Sequence, residues 1–418
     1  MAVRRFYYGR PPRKLYRRGC TLRWTDYALK KTGARTLAEF QRSYGLPETG
    51  EADLVTSRAL WDYLVGYRCH RMGPRETLYQ VAQTYNTTIQ AIWAGNCGLP
   101  AGGPVPGQII RVPLPCPVVD WDAPYESALE AVFLEGLHAR CRWLTSETLA
   151  VTPGGRHIWA LRIGTGPRRI LATGGHHGSE WITGLLLWKL LEEYLTAVRE
   201  EGAFGGFPAR GLFRRTTLCL VPLVNPDGAD LALGLGTEPE RARMTALGVS
   251  QPQVPLPKGW KANGSGVDLN LNYPARWEAA KTIKAAAGVT APGPKDYPGD
   301  APLDQPETRA LSDFIRRFAP HAIAAWHTQG GEIYAADHRG VMPDEALAQR
   351  MAAASGYILT NPAPESANAG LRDWFMDAFH RPGYTIEAGR GETPLPISDL
   401  PELVRENLPI LALLLAAG

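Results

Sequence analysis

Ile170-Leu171-Ala172-Thr173-Gly174-Gly175-His176-His177-Gly178-Ser179-Glu180-Trp181-Ile182-Thr183 is the stretch on which the reading of the fold turns. Its first four residues read as a short strand ending in glycines, and Ile182 to Arg199 carries the periodicity of a long helix. Strand, tight turn and helix in this order is the building unit of α/β sheets. The turn itself holds a His and a Glu three residues apart, so both side chains can face one ion. Neutral imidazole with carboxylate suits zinc, and a catalytic zinc site uses about three protein ligands with one position left open. Two ligands this close along the chain cannot complete that set, so a distant third is required.

The flanking sequence supplies it. Ile158 to Ile163 reads as a strand, Tyr125 to Trp143 as a helix, and Thr216 to Val224 and Ala322 to Trp326 as buried strands of near-continuous apolar character. This alternation predicts an α/β domain with a mostly parallel or mixed central sheet and helices on both faces, and places functional groups at strand ends and in the loops after them. His327 ends the Ala322–Trp326 run and is the candidate third ligand; a histidine there would read as structural without the first motif. Glu387 ends the β-prone run Gly383-Tyr384-Thr385-Ile386 and precedes glycines, so its carboxylate can face a cleft and serve as a general base and acid beside a metal. Residues 231–262, rich in Gly and Pro, read as a long structureless loop bordering the cleft, a lid or binding loop.

The chain has 418 residues, which predicts two or three domains. Residues 20–66 show helical periodicity interrupted by the turn-rich stretch 45–53. Residues 67–116 read as strand, two helices and strand, and Pro113 to Pro117 as a stiff linker. The boundaries expected are therefore 1–66, 67–116 and 117–418. The net charge of +4 is mild, and part of it lies in an arm of Arg4, Arg5, Arg10, Arg13, Lys14, Arg17 and Arg18. Such an arm suits an anionic polymer or is simply a solvated, frayed end. No apolar leader and no run of roughly 18 apolar residues is visible, so neither export by the usual route nor a membrane span is expected. No nucleic-acid partner is expected either. The six cysteines, Cys20, Cys69, Cys97, Cys116, Cys141 and Cys219, form no Cys-x-x-Cys pair. Free thiols are expected, although a pair among Cys69, Cys97 and Cys116 could bridge under oxidising conditions.

Several ordered segments resemble the zinc metallocarboxypeptidase (carboxypeptidase A-like) family across residues 120–418. They are His177-Gly178-Ser179-Glu180-Trp181-Ile182-Thr183, Asn225-Pro226-Asp227-Gly228, Gly266-Val267-Asp268-Leu269-Asn270, Tyr297-Pro298-Gly299 with Pro306 to Leu311, and Asp373-Trp374 with Thr385-Ile386-Glu387. The resemblance implies one zinc ion per chain on His177, Glu180 and His327, with Glu387 catalytic and Asn270 at the substrate. Where family exopeptidases carry an arginine that grips a free C-terminal carboxylate, this chain has Leu271, which cannot form that charge-assisted pair. Lys261 replaces an arginine that polarises the scissile carbonyl, and a lysine still stabilises an oxyanion as a point charge. The place of the family's substrate-covering tyrosine falls near Glu365.

These departures, with Gly389-Arg390-Gly391-Glu392-Thr393-Pro394, look like the branch that hydrolyses γ-D-glutamyl–diaminopimelate bonds in peptidoglycan stem peptides. The Phe40-Gln41 to Thr49-Gly50 pattern resembles a peptidoglycan-binding helical domain. Thr77-Leu78, Val81-Ala82, Asn96 and Gly107-Gln108 resemble a LysM module, which binds N-acetylglucosamine-containing glycan. Peptidoglycan or muropeptides are thus the expected partners. Arg390 is expected to pair with a substrate carboxylate. The other readings are a carboxypeptidase releasing C-terminal residues, an amidase or deacylase on the related fold, and a wall-binding protein without catalysis. A cytoplasmic or spore-associated location reconciles wall binding with the missing export signal.

Overall fold

The structure is a computed structural model that describes residues 21–96, 98–123, 125–363 and 368–417. The basic arm, Cys20, Cys97 and Glu365 lie outside the described residues. The chain divides into two compact units, one holding the N-terminal segment together with Leu129–Trp143, the other Tyr125–Ala128 with residues 144–418. The sequence reading, with its boundary at 117, assigned 117–123 and 129–143 to the same domain as 144–418.

The N-terminal unit opens with α1 (Thr21–Thr32), α2 (Leu37–Ser43) and α3 (Leu54–Val65). Gln41 is fully buried and fixes the connection between the last two, accepting from Gly50 N–H at 2.8 Å and donating to the Glu51 carbonyl at 3.0 Å. Asp53 caps α3 by accepting from Thr56 N–H. Next come β1 (Tyr67–Arg71), α4 (Leu78–Thr84), α5 (Ile89–Gly95) and β2 (Ile109–Pro113), with β1 and β2 antiparallel. Thr77 and Gln80 form a capping box on α4, and Thr88 caps α5. Asn96 ties α5 to β2, exchanging hydrogen bonds with the Arg111 carbonyl (2.8 Å) and N–H (2.8 Å). This is the βααβ arrangement expected of a LysM module. Helix α6 (Ser127–Arg140) closes the segment.

The larger unit is built on β3 (Thr145–Val151), β4 (His157–Ile163), β5 (Arg168–Thr173), α7 (Ile182–Arg199), the short pair β6 (Ala203–Phe204) and β7 (Phe207–Pro208), α8 (Ala209–Arg215) and β8 (Thr216–Val221). It continues with α9 (Pro226–Ala232), α10 (Glu238–Gly248), α11 (Trp277–Ala286), α12 (Pro306–Phe318), β9 (Ala322–His327), β10 (Glu332–Tyr334), α13 (Glu345–Ser355), β11 (Ile358–Thr360), α14 (Leu371–Phe379), β12 (Gly383–Glu387) and α15 (Leu400–Ala416). The eight-stranded sheet runs β11-β10-β12-β9-β5-β8-β4-β3. The inner four, β12, β9, β5 and β8, are parallel, while β10, β4 and β3 join antiparallel to their inward neighbours. The sheet is therefore mixed, as the sequence suggested. Every residue of β9 is buried, which explains its unbroken apolar reading. On α12, Leu311, Phe314, Ile315 and Phe318 recur at helical spacing and enter the same core as Leu171, Cys219 and Ile323.

β5 sits between β8 and β9, so the chain leaves it toward opposite sides of the sheet. A crevice at such a switch point, outside the strands' carboxyl ends, is where an open α/β sheet binds ligands. The segment 231–262 corrects the sequence reading. It is not structureless, because Thr237 and Glu240 form a capping box that starts α10, and Glu240 receives Arg156 at 2.6 Å. Cys69 and Cys219 are free thiols. Among the described residues, no helix is long and apolar enough to cross a membrane.

Candidate metal centre

The turn after β5 is shaped by close packing. Gly175 has φ of +59°, and a Cβ on Gly178 would lie 2.4 Å from the Gly228 carbonyl oxygen. Thr183 Oγ1 accepts from Gly175 N–H (2.8 Å) and donates to the Glu180 carbonyl (2.8 Å), locking the turn onto the start of α7. Asn225, fully buried, donates to the carbonyls of His176 (3.1 Å) and Ala262 (3.1 Å). It also caps α9 by accepting from Gly228 N–H at 2.9 Å. Gly178 N–H in turn bonds the Lys261 carbonyl at 2.9 Å. The strand ends of β5 and β8 and the Lys261 loop are thus one hydrogen-bonded assembly.

His177, Glu180 and His327 converge, each offering a ligand atom within 4.8 Å of the others. The Nδ1 atoms of both histidines point at the same carboxylate: His177 to Glu180 Oε1 at 2.7 Å, His327 to Glu180 Oε2 at 3.0 Å. Lys261 Nζ reaches Glu180 Oε1 at 3.1 Å. Glu387 follows from register. It pairs with His327 across the parallel strands β12 and β9, so the two side chains leave the sheet on one face.

The far nitrogen of His177, Nε2, meets Asp268 Oδ1 at 3.1 Å. Asp268 was quoted only as part of a motif in the sequence; its role as partner of a ligand histidine has no sequence signal of its own. Such a carboxylate orients a ligating imidazole and raises its basicity. Asp268 itself accepts from the N–H groups of Asn270 and Asp296, at 3.1 and 3.2 Å. His176, also missed, is fully buried behind His327, with Nε2 toward Tyr273 at 3.2 Å.

The electrostatics fit a divalent cation. Glu180 and Asp268 are buried carboxylates, 1% and 4% exposed. Burial opposes their ionised forms, yet His177 and Lys261 hold both below the usual carboxylate range. Burial favours neutral His177, but Glu180 and Asp268 outweigh it and lift the ring to about 10. Two buried negative charges demand positive charge here. Two imidazole nitrogens and one carboxylate are the donor set of a catalytic zinc. Burial also pushes the Glu387 carboxyl up to about 7, the pull of His327 and Lys261 only partly offsetting it.

The sequence profile of the zinc carboxypeptidase family matches residues 131–410. The chain belongs to that family. As a zinc carboxypeptidase relative it is a metallopeptidase, a hydrolase. A LysM domain profile matches residues 70–113. The uncharacterized protein YqgT of Bacillus subtilis is 38% identical over 261 residues, 62% of this chain and 68% of that one. The γ-D-glutamyl-L-diamino acid endopeptidase 1 of Lysinibacillus sphaericus is 37% identical over 265 residues, 62% of this chain and 65% of that one. These matches span about two thirds of each relative's own length. Carboxypeptidase A from Helicoverpa armigera shares the fold at a TM-score of 0.53, with 18% identity over 82% of each chain.

The remaining candidates occupy different places. Asn270 accepts from Leu371 N–H at 3.2 Å and lines a cavity beside His177. Arg390 donates to Glu406 at 3.4 Å and to the Gly356 carbonyl at 3.0 Å, with its guanidinium over the Tyr357 ring. It does not line that cavity.

Proposed function

We propose that the protein is a zinc-dependent endopeptidase cutting the γ-D-glutamyl–diamino acid bond of peptidoglycan stem peptides. The observation that carries the reading is the convergence of His177, Glu180 and His327 beside Glu387 and Lys261. Support for the substrate class comes from the likeness to the Lysinibacillus endopeptidase and from the LysM match at residues 70–113. Zinc, held by His177, Glu180 and His327, supplies Lewis-acid polarisation of the scissile carbonyl and lowers the pKa of a water toward about 7.

The chain's own groups do the rest. Glu387 accepts the proton of the attacking water and returns it to the leaving amine; a carboxyl pushed to about 7 suits both directions near neutral pH. Lys261 keeps its charge beside Glu180 and stabilises the developing oxyanion. Asp268 holds the His177 ring in its orientation. The LysM module attaches to N-acetylglucosamine-containing glycan, which raises the effective concentration of wall peptide at the site.

The test is digestion of defined muropeptides by the zinc-loaded protein, with the products identified by mass spectrometry. The expected cut is between γ-D-glutamate and the diamino acid, and Glu387→Gln lowers kcat by at least roughly a hundredfold. Release of single C-terminal residues from plain peptides, with intact stem peptides, would establish the carboxypeptidase reading instead.

A further inference from the structure

A cavity of about 270 Å³ opens beside His177, lined by Lys261, Lys284, Lys295, Asn270, Leu271 and Asp296 together with Asp268. Leu271 is the one apolar side chain among the described residues that line it. Lys284 stands in the last turn of α11, and Lys295 and Asp296 lie in the segment that follows.

The charges in this cavity do not balance. Asp268 is spent on His177 and two backbone N–H groups. Asp296 meets Lys284 at 2.7 Å and Lys295 at 3.6 Å, so one carboxylate answers two ammonium groups. Lys261 faces Glu180, which also serves the metal centre. A purely structural ion pair needs Lys284 and Asp296 alone. The second lysine, 41% exposed at the rim, is free to take another anion.

We propose that Lys284 and Lys295, bracketing Asp296, form an anion subsite that grips a carboxylate of the substrate. The proposal rests on the wall-peptide reading, which supplies two carboxylates near the scissile bond: the α-carboxylate of a γ-linked glutamate and a carboxylate of the diamino acid. Leu271 offers no charge to either, and Arg390 does not line this cavity. Among the described residues lining the cavity the cations are Lys261, which Glu180 holds, and the pair Lys284 and Lys295, which only Asp296 answers.

The experiment compares stem peptides amidated at one carboxylate or the other with the fully ionised peptide, using the zinc-loaded full chain. Wild type is expected to prefer the ionised form at one position by roughly tenfold to a hundredfold in kcat/KM, carried by KM. The position that matters identifies the carboxylate held. Lys295→Gln, and the charge-neutral pair Lys284→Gln with Asp296→Asn, bring the preference toward one; Lys295→Arg retains it. Equal rates on amidated and ionised peptides in wild type, or a preference that survives both variants, would overturn the subsite. Intact stem peptides alongside trimmed plain peptides would refute the wall-peptide reading alone. The subsite is then read from glutamate against glutamine at the residues flanking the cut in plain peptides, with the same variants and the same deciding outcomes.

Discussion

Replacing Asn225 tests whether the metal centre is assembled by backbone tethers rather than by its ligands alone. The side chain is fully buried. Its amide donates to the His176 and Ala262 carbonyls, both at 3.1 Å, and its Oδ1 accepts from Gly228 N–H at 2.9 Å. Asn225→Ala strands two buried carbonyls at about 1–2 kcal/mol each and removes a helix cap of about 1 kcal/mol, together about 3–5 kcal/mol. Asn225→Asp separates these contributions, because it keeps the acceptor for Gly228 but turns a carboxylate toward two carbonyl oxygens. It is expected to cost nearly as much as the alanine. Both variants loosen the turn that carries His177 and Glu180, so zinc affinity falls roughly tenfold to a hundredfold. The assay is denaturant unfolding followed on the transition that shifts with added zinc, together with a competitive zinc titration. A loss below about 1 kcal/mol with unchanged zinc affinity, in either variant, would refute the tethering argument.

Three further outcomes follow from the same geometry. Chelation, or His327→Ala, abolishes hydrolysis, and restoring zinc rescues the chelated wild type but not the variant; thermal scans rise by about 4 kcal/mol of stability at a thousandfold excess over Kd in wild type. Glu307 is 1% exposed, and burial pushes its carboxyl from 4.5 up to about 7. Because the folded pKa is raised, its stabilising contribution is complete below about pH 4.5 and is lost as pH rises through about 7, a change of about 3 kcal/mol by linkage. Glu307→Gln removes that slope, which matched unfolding curves at pH 5 and pH 8 measure. Leu271→Arg supplies a grip for a free C-terminal carboxylate and raises kcat/KM on plain peptides by roughly tenfold, read as a ratio to stem-peptide activity.

The parallel core was legible because its strands are buried on both faces and so read as unbroken apolar runs, as Ala322 to Trp326 does. Edge strands carry no such run. β3 has no fully buried residue, and β10 and β11 are three residues each, so pairing rather than composition defines them. The cap that starts α10 was readable in Thr237-Glu238-Pro239-Glu240, but the surrounding Gly and Pro content argued for a loop, and local capping won. Within the site, His177, Glu180 and His327 were found from spacing and strand ends. Asp268, Lys284 and Lys295 were not given roles, because a second carboxylate behind a histidine, and Lys284 brought onto the Asp296 that already follows Lys295, arise only through tertiary contact.

Leu271 and the lysine-lined cavity make sense together. An enzyme that trims chain ends needs a cation at the terminal carboxylate, and that cation then forbids any substrate whose chain continues past the site. With Leu271 lining the cavity beside His177, no such cation stands at that position, and on the proposed reading a stem peptide attached at both ends would continue past the site. Binding energy must then come from groups a cross-linked peptide still exposes, and the carboxylates that branch from its backbone are the charged ones. A cavity lined by Lys261, in which two further lysines share Asp296, can use that charge to orient the scissile bond without claiming an end. On the proposed reading, orientation gained this way acts on kcat/KM for ionised wall peptide and leaves plain termini unrewarded.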